Sequence, residues 1–127
     1  MAQPADLLYS KEHEWVKIDG DIATVGITDY AQNSLGDIVY VELPKVGANV
    51  AQFGAIGVVE SVKAVSDLFT PVGGEITEVN PQLENDPALV NREPLDGGWM
   101  FKLRLNDGAQ TSGLLSAAEY DKLTQEG

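Results

Sequence analysis

Glycine and proline interrupt this chain roughly every eight to twelve residues, the rhythm of a sandwich or barrel built from short strands. The first hairpin is legible at once. His13 to Ile18 and Asp21 to Ile27 read as strands joined by Asp19-Gly20, a pair that supplies the positive φ values of a type I′ turn. Thr28 is placed to cap a short helical turn running through Leu35, and Gly36 to end it. Ile38 to Leu43 forms the next strand, stopped by Pro44, and residues 46 to 79 read as strand after strand. Asn80-Pro81 and Asp86-Pro87 resemble cap-plus-first-turn pairs opening short helical turns. Trp99 to Leu105 is a further strand, alternating from Met100 onward. Ser116-Ala-Ala-Glu119 has capping-box spacing, and Ala117, Tyr120 and Leu123 recur at helical spacing, which predicts a C-terminal amphipathic helix. The expectation is one β-rich domain over residues 1–127, with small helices at its margins.

Composition narrows the function. The 127 residues carry eight basic against twenty acidic side chains, a formal charge of −12. Nucleic-acid binding runs on phosphate neutralisation by Lys and Arg, so this chain is poorly suited to it. The acidity serves either solubility or attraction to basic docking surfaces, and charge alone does not choose between them. With no Cys, disulfides, thiolate metal ligands and a Cys nucleophile are excluded. No apolar run is long enough to cross a bilayer. The segment from Met1 to Trp15 lacks the basic start and apolar stretch of a secretory signal, and is too poor in Arg for an uncleaved transit peptide.

Enzyme chemistry is hard to assemble from these residues. His13 is the single histidine, flanked by Glu12, Glu14 and Trp15, which look like strand residues and not like an orienting network. It reads as structural or solvated. No phosphate-cradling glycine loop is present, and the glycines of GAIG and GGE are better explained by strand ends and close backbone approach. Asp19 with Asp21, and Glu84 with Asp86, lack the spacing of a calcium loop and read as solvated acidic turns.

One stretch stands out: VVESVKAVSDLF, from Val58 to Phe69, an apolar segment with one cation in its middle. Val62-Lys63-Ala64 contains no turn former, so local propensity gives a continuous strand with Lys63 on its solvent face. The wider context changes that reading. Glu12-His-Glu-Trp15, VGITDYAQ from Val25, Leu35-Gly-Asp-Ile38, Val41-Glu-Leu-Pro44, Glu60 to Asp67 (ESVKAVSD), Glu78-Val-Asn-Pro81, Leu89-Val-Asn91 and Leu115-Ser-Ala occur in order and with family spacing. In these pieces the chain closely resembles the H-protein of the glycine cleavage system over nearly its whole length.

That resemblance implies a mainly β fold, a barrel-sandwich hybrid of antiparallel strands of the lipoyl- and biotinyl-carrier type. It places Lys63 at a hairpin tip, with lipoic acid joined to its amine as an amide. Biotin domains usually flank their lysine with Met, where this chain has Val62 and Ala64. The implied role is a non-catalytic shuttle in glycine catabolism. It takes an aminomethyl group from a pyridoxal-phosphate glycine decarboxylase to the aminomethyltransferase, then passes electrons to dihydrolipoyl dehydrogenase. A lipoate ligase or lipoyltransferase attaches the arm. Glu14 and Asp67 match positions lining a cleft for the loaded arm, Glu14 as main partner of its aminium, and Leu35 matches an apolar wall. A monomer in the bacterial cytoplasm is expected, or a processed mitochondrial matrix protein. A lipoyl donor for other complexes uses the same Lys63, an unmodified interaction module keeps only the fold, and a small hydrolase built on His13 is the remaining alternative.

Overall fold

A computed structural model describes residues 7–95, 97–105 and 113–126. Residues 1–6, which begin the segment weighed above as a targeting signal, lie outside them, as do 96, 106–112 and 127 within the domain expected over 1–127. Nine strands and four helices are described: β1 (Leu8–Tyr9), β2 (Glu14–Asp19), β3 (Ile22–Ile27), α1 (Asp29–Leu35), β4 (Ile38–Glu42), β5 (Asn49–Val50), β6 (Ala55–Ser61), β7 (Val65–Phe69), β8 (Gly74–Val79), α2 (Gln82–Asn85), α3 (Leu89–Arg92), β9 (Phe101–Leu105) and α4 (Ala117–Glu126). Every strand pairing is antiparallel. One open sheet has six strands in the order β1-β2-β3-β9-β8-β5, and the other has three in the order β4-β6-β7.

Alternation along the strands builds the interior. Val16, Ala23, Val25, Ile76, Phe101 and Leu103 of the larger sheet join Ile38, Val41, Val59 and Leu68 of the smaller one in a single apolar cluster. Trp15, one residue from Val16, points to the opposite face and meets Leu7, Tyr9 and Tyr120 in a second cluster under α4. The antiparallel β architecture with short helices and a C-terminal helix is therefore as expected.

The helix ends follow the sequence closely. Thr28 Oγ1 accepts the Ala31 N–H at 3.2 Å, and Gly36 closes α1 with φ of 81°. At α4, Ser116 N–H donates to Glu119 Oε1 at 2.9 Å while Glu119 N–H donates to Ser116 Oγ at 3.2 Å, a complete capping box. Asn80 opens α2 by accepting the Gln82 N–H on its side chain at 3.1 Å. Asp86 accepts the Leu89 N–H with its backbone carbonyl, while its carboxylate pairs with Arg92. The first hairpin is shifted by one residue from the expected turn. Asp19 pairs with Ile22, so the loop residues are Gly20-Asp21. Only Gly20 has positive φ (67°), the requirement of a type II′ turn and not of type I′.

His13 is tied into the fold through its ring. Its Nδ1 lies 2.8 Å from the Tyr120 hydroxyl, which lies 2.7 Å from Thr28 Oγ1. Because Thr28 Oγ1 already accepts from Ala31, one consistent chain runs from Ala31 N–H through the two hydroxyls to a neutral His13. Burial lowers the His13 pKa, opposed by the Glu12 charge, and pushes Tyr120 up to about 12. Tyr120→Phe is expected to cost about 1–3 kcal/mol in urea unfolding, since two inward-facing polar atoms lose their shared partner. An unchanged unfolding midpoint counts against this bridge.

Candidate functional site

The β6–β7 hairpin carries Lys63. Glu60 pairs with Val65, and the Ser61 N–H donates to the Ala64 carbonyl at 2.8 Å, which leaves Val62 and Lys63 as a two-residue loop. The chain reverses here, where local propensity gives an uninterrupted strand. Two-residue hairpin loops usually require positive φ and hence Gly or Asn. Neither Val62 nor Lys63 has positive φ, so neither position needs those residues. The Ser61 hydroxyl supplies what the loop residues lack: its Oγ accepts the N–H of Lys63 at 3.3 Å and of Ala64 at 3.0 Å. Val62 and Val65 are 69% and 68% exposed, so no side-chain wall encloses the tip on those flanks. Lys63 itself is exposed and has no ion-pair partner among the described residues.

Behind the tip lies the α1–β4 junction. The Val62 N–H donates to the Asp37 carbonyl at 3.1 Å. A Cβ placed on Gly36 would lie 3.5 Å from Lys63 Cε, so the lysine stem runs past that glycine. Leu35, the expected apolar wall, precedes Gly36 and is half-buried against the main core. The junction is held from below by Asn91 of α3. Its Oδ1 accepts the Ile38 N–H at 2.8 Å, and its Nδ2 donates to the Gly36 carbonyl and to Gln32 Oε1, each at 2.9 Å.

Glu14 opens β2 and is 2% exposed. Its Oε1 accepts the Ser10 hydroxyl at 2.5 Å, and the Phe69 N–H of β7 also donates to the carboxyl. Burial raises its pKa to about 8; the Ser10 and Phe69 hydrogen bonds oppose that rise and the nearby Glu12 charge adds to it. At neutral pH this group is therefore mostly a neutral acid. Asp67 is exposed on β7, opposite Val58, two residues from the Phe69 that meets Glu14. Strand β7 thus links the expected residues: it begins beside the Lys63 loop and ends against Glu14, a run of about 13 Å. At that far end Ser10, Lys11, Glu12, Phe53, Phe69 and Gly113 line a hollow of about 420 Å³. Phe53 holds φ of 65° there, a conformation rare for a bulky residue.

The arrangement presents an accessible primary amine on a narrow reversal, an aromatic-lined hollow, and a buried carboxyl whose pKa burial raises to about 8. No group of three or more metal-ligating side chains occurs among the described residues, and no described helix is long and apolar enough to cross a membrane. Sequence reasoning missed Ser61 and Asn91. Ser61 had a signal, since serine before a loop caps turns. Asn91 stood in the Leu89-Val-Asn91 piece of the resemblance, but its role had no local signal, because its backbone partners lie 53 and 55 residues away.

Comparison with known proteins bears on this geometry. The model of the family described as glycine cleavage H-protein matches residues 7–127. A glycine cleavage system H protein of Symbiobacterium thermophilum is 54% identical over 124 residues, which cover 98% of this chain and 97% of that protein. One of Opitutus terrae is 57% identical over 121 residues, 94% of this chain and 95% of that one. Among solved structures, a glycine cleavage system H protein from Mycobacterium marinum superposes with a TM-score of 0.90 at 37% identity, covering 97% of this chain and 99% of the other.

Proposed function

This chain belongs to the glycine cleavage H-protein family, and from that premise we propose that it is a lipoyl-carrying shuttle attached through Lys63. It is a non-catalytic carrier that moves an aminomethyl group from glycine decarboxylase to the aminomethyltransferase and then electrons to dihydrolipoyl dehydrogenase. The observation that carries this reading is the Lys63 loop, an exposed amine on a two-residue reversal. Such a shape admits several enzymes to one side chain without moving the body of the protein. When bound, the lipoyl group supplies a redox-active disulfide at the end of a flexible arm.

The chain's own residues suit that group. Lys63 offers the amine, and Leu35 with Gly36 borders the stem. The Phe53–Phe69 hollow is apolar enough to shelter an arm laid back along β7. Glu14 is the principal group facing a cationic end, with Asp67 second. A carboxyl with a pKa of about 8 is neutral when nothing faces it, and an approaching aminium favours its charged form. It then releases its proton to solvent and pairs with the cation, while the surrounding side chains exclude water. Bacterial relatives favour a bacterial cytoplasmic setting.

Expression with lipoate and a lipoate ligase tests the reading. Intact mass should rise by one lipoyl amide, and peptide mapping should place it on Lys63. Lys63→Arg keeps the charge but removes the primary amine, and it should gain no lipoyl group and support no aminomethyl transfer. Acylation at another lysine, or transfer by the arginine variant, overturns the proposal.

A further inference from the structure

We propose that Asn91 is a positioning residue for Lys63, aiming the hairpin tip through a relay of backbone hydrogen bonds. The inference rests on the reading of Lys63 as the acylated lysine. All three hydrogen-bonding contacts of the Asn91 side chain go to one place, the end of α1 and the start of β4. Its Oδ1 takes the Ile38 N–H, while its Nδ2 holds the Gly36 carbonyl and Gln32 Oε1. Gln32 is held in turn, donating from Nε2 to Asp29 Oδ1 at 2.8 Å.

The residues between Gly36 and Ile38 are the ones that touch the tip. Asp37, enclosed by the two backbone groups Asn91 grips, presents its carbonyl to the Val62 N–H at 3.1 Å. A Cβ added to Gly36 would come within van der Waals reach of the Lys63 stem, so the stem lies over this glycine. The Lys63 loop is thus fixed from two sides. Ser61 closes the turn from within, and the Asp37 carbonyl sets its tilt against the rest of the molecule.

The Ser61 hydroxyl alone cannot set that tilt, because its bonds lie inside the hairpin and move with it. Sheet pairing reaches Ser61, which pairs with Ile38 of β4, and Glu60, which pairs with Val65, but it stops short of Val62 and Lys63 and leaves their direction to be set from outside. Asn91 does this from a different element, α3, whose Leu89 and Val90 are anchored in the main core. The direction in which Lys63 projects is thereby referred to the core and not only to its own hairpin. An acylating enzyme depends on that direction, since small misplacement of a reacting group carries a large rate cost.

Asn91→Asp preserves the acceptor for Ile38 but sets a carboxylate oxygen against the Gly36 carbonyl and Gln32 Oε1. Val90→Ala, in the same helix but facing the core, serves as a destabilised control outside the relay. The first readout is amide hydrogen exchange in the full-length unmodified protein. Val62 N–H should exchange at least about tenfold faster in Asn91→Asp than global stability accounts for, whereas Val90→Ala should track global stability. The second readout is Lys63 acylation by lipoate ligase, where kcat should fall about tenfold with KM little changed, and Val90→Ala should retain kcat. Unaltered Val62 exchange in Asn91→Asp, or an equal loss of kcat in Val90→Ala, overturns the proposal. If the wild-type protein takes no lipoyl group at Lys63, the functional reading fails instead, and the Val62 exchange still decides whether Asn91 holds the tip.

Discussion

Glu14→Gln should make the protein more stable than wild type at pH 8 and remove the loss of stability that Glu14 causes as pH rises from 4.5 to 8, leaving the opposite contribution of His13. The Glu14 carboxyl is held near pKa 8 in the fold, against an ordinary value of 4.5. Its folded-state pKa is raised, so the unfolded chain loses this proton first as pH climbs. The stabilisation is fully present below about pH 4.5 and is lost as pH rises through 8. The native state should therefore weaken by roughly 3–5 kcal/mol across that window from this one group. An amide has no charge to expel. Glutamine keeps an acceptor for the Ser10 hydroxyl or the Phe69 N–H but leaves some polar capacity unmet, at a cost of about 1 kcal/mol at acid pH. Urea unfolding from pH 4 to 9 should thus give two stability curves that cross near pH 5, with glutamine lower at pH 4 and higher at pH 8. Parallel curves would contradict a neutral buried Glu14. The same variant probes function: with no carboxylate to face an aminium, protein charged by glycine decarboxylase should release formaldehyde and ammonia faster than wild type. Greater stability with poorer retention is the pattern of a group kept for function at the expense of the fold.

Gly74→Ala should leave little folded protein at 37 °C. An ideal Cβ at Gly74 lies 1.9 Å from the Arg104 carbonyl oxygen and 2.8 Å from its carbon. Those atoms belong to β9, the central partner of β8, and backbone cannot step aside as a flexible side chain can. Relief requires β8 and β9 to separate where Gly74 pairs with Leu105, which is buried in the core. The expected loss is about 4–5 kcal/mol or more, comparable to the entire stability of many small domains. Gly20→Ala is the informative contrast. Its φ of 67° disfavours a side chain, but nothing lies within 4 Å of the added carbon, so strain alone should cost about 1–2 kcal/mol. Circular dichroism and urea unfolding of the two variants separate close approach from torsional strain. Equal stability of the pair would mean that the strands part easily at Gly74.

The Gly57 and Gly74 contacts fit the sequence reading of the GAIG and GGE glycines as sites of close backbone approach. What residues dictate within a few positions of themselves was also legible. Thr28 and Gly36 bound α1, Ser116 and Glu119 box the start of α4, and alternating burial marks β9. The hairpin at Gly20 shows the limit of this precision. Asp-Gly signals a turn, but which residues occupy the loop depends on how Asp19 and Ile22 pair, and the choice fell one residue later than the dipeptide suggested.

By itself, then, the sequence determined most strands and the helix caps, because those are set by local torsional preference and local hydrogen bonding, whereas Lys63 was legible only through the resemblance to a family. Only the tertiary structure decided what the polar residues do. The Glu14 pKa is raised because burial outweighs the hydrogen bonds that Ser10 and Phe69 donate to it, and Lys63 sits at a reversal because Ser61 and the Asp37 carbonyl bind its loop. Asn91 matters through a junction more than fifty residues away. Charge, tilt and desolvation depend on which distant groups are brought into contact, and no run of neighbours encodes that.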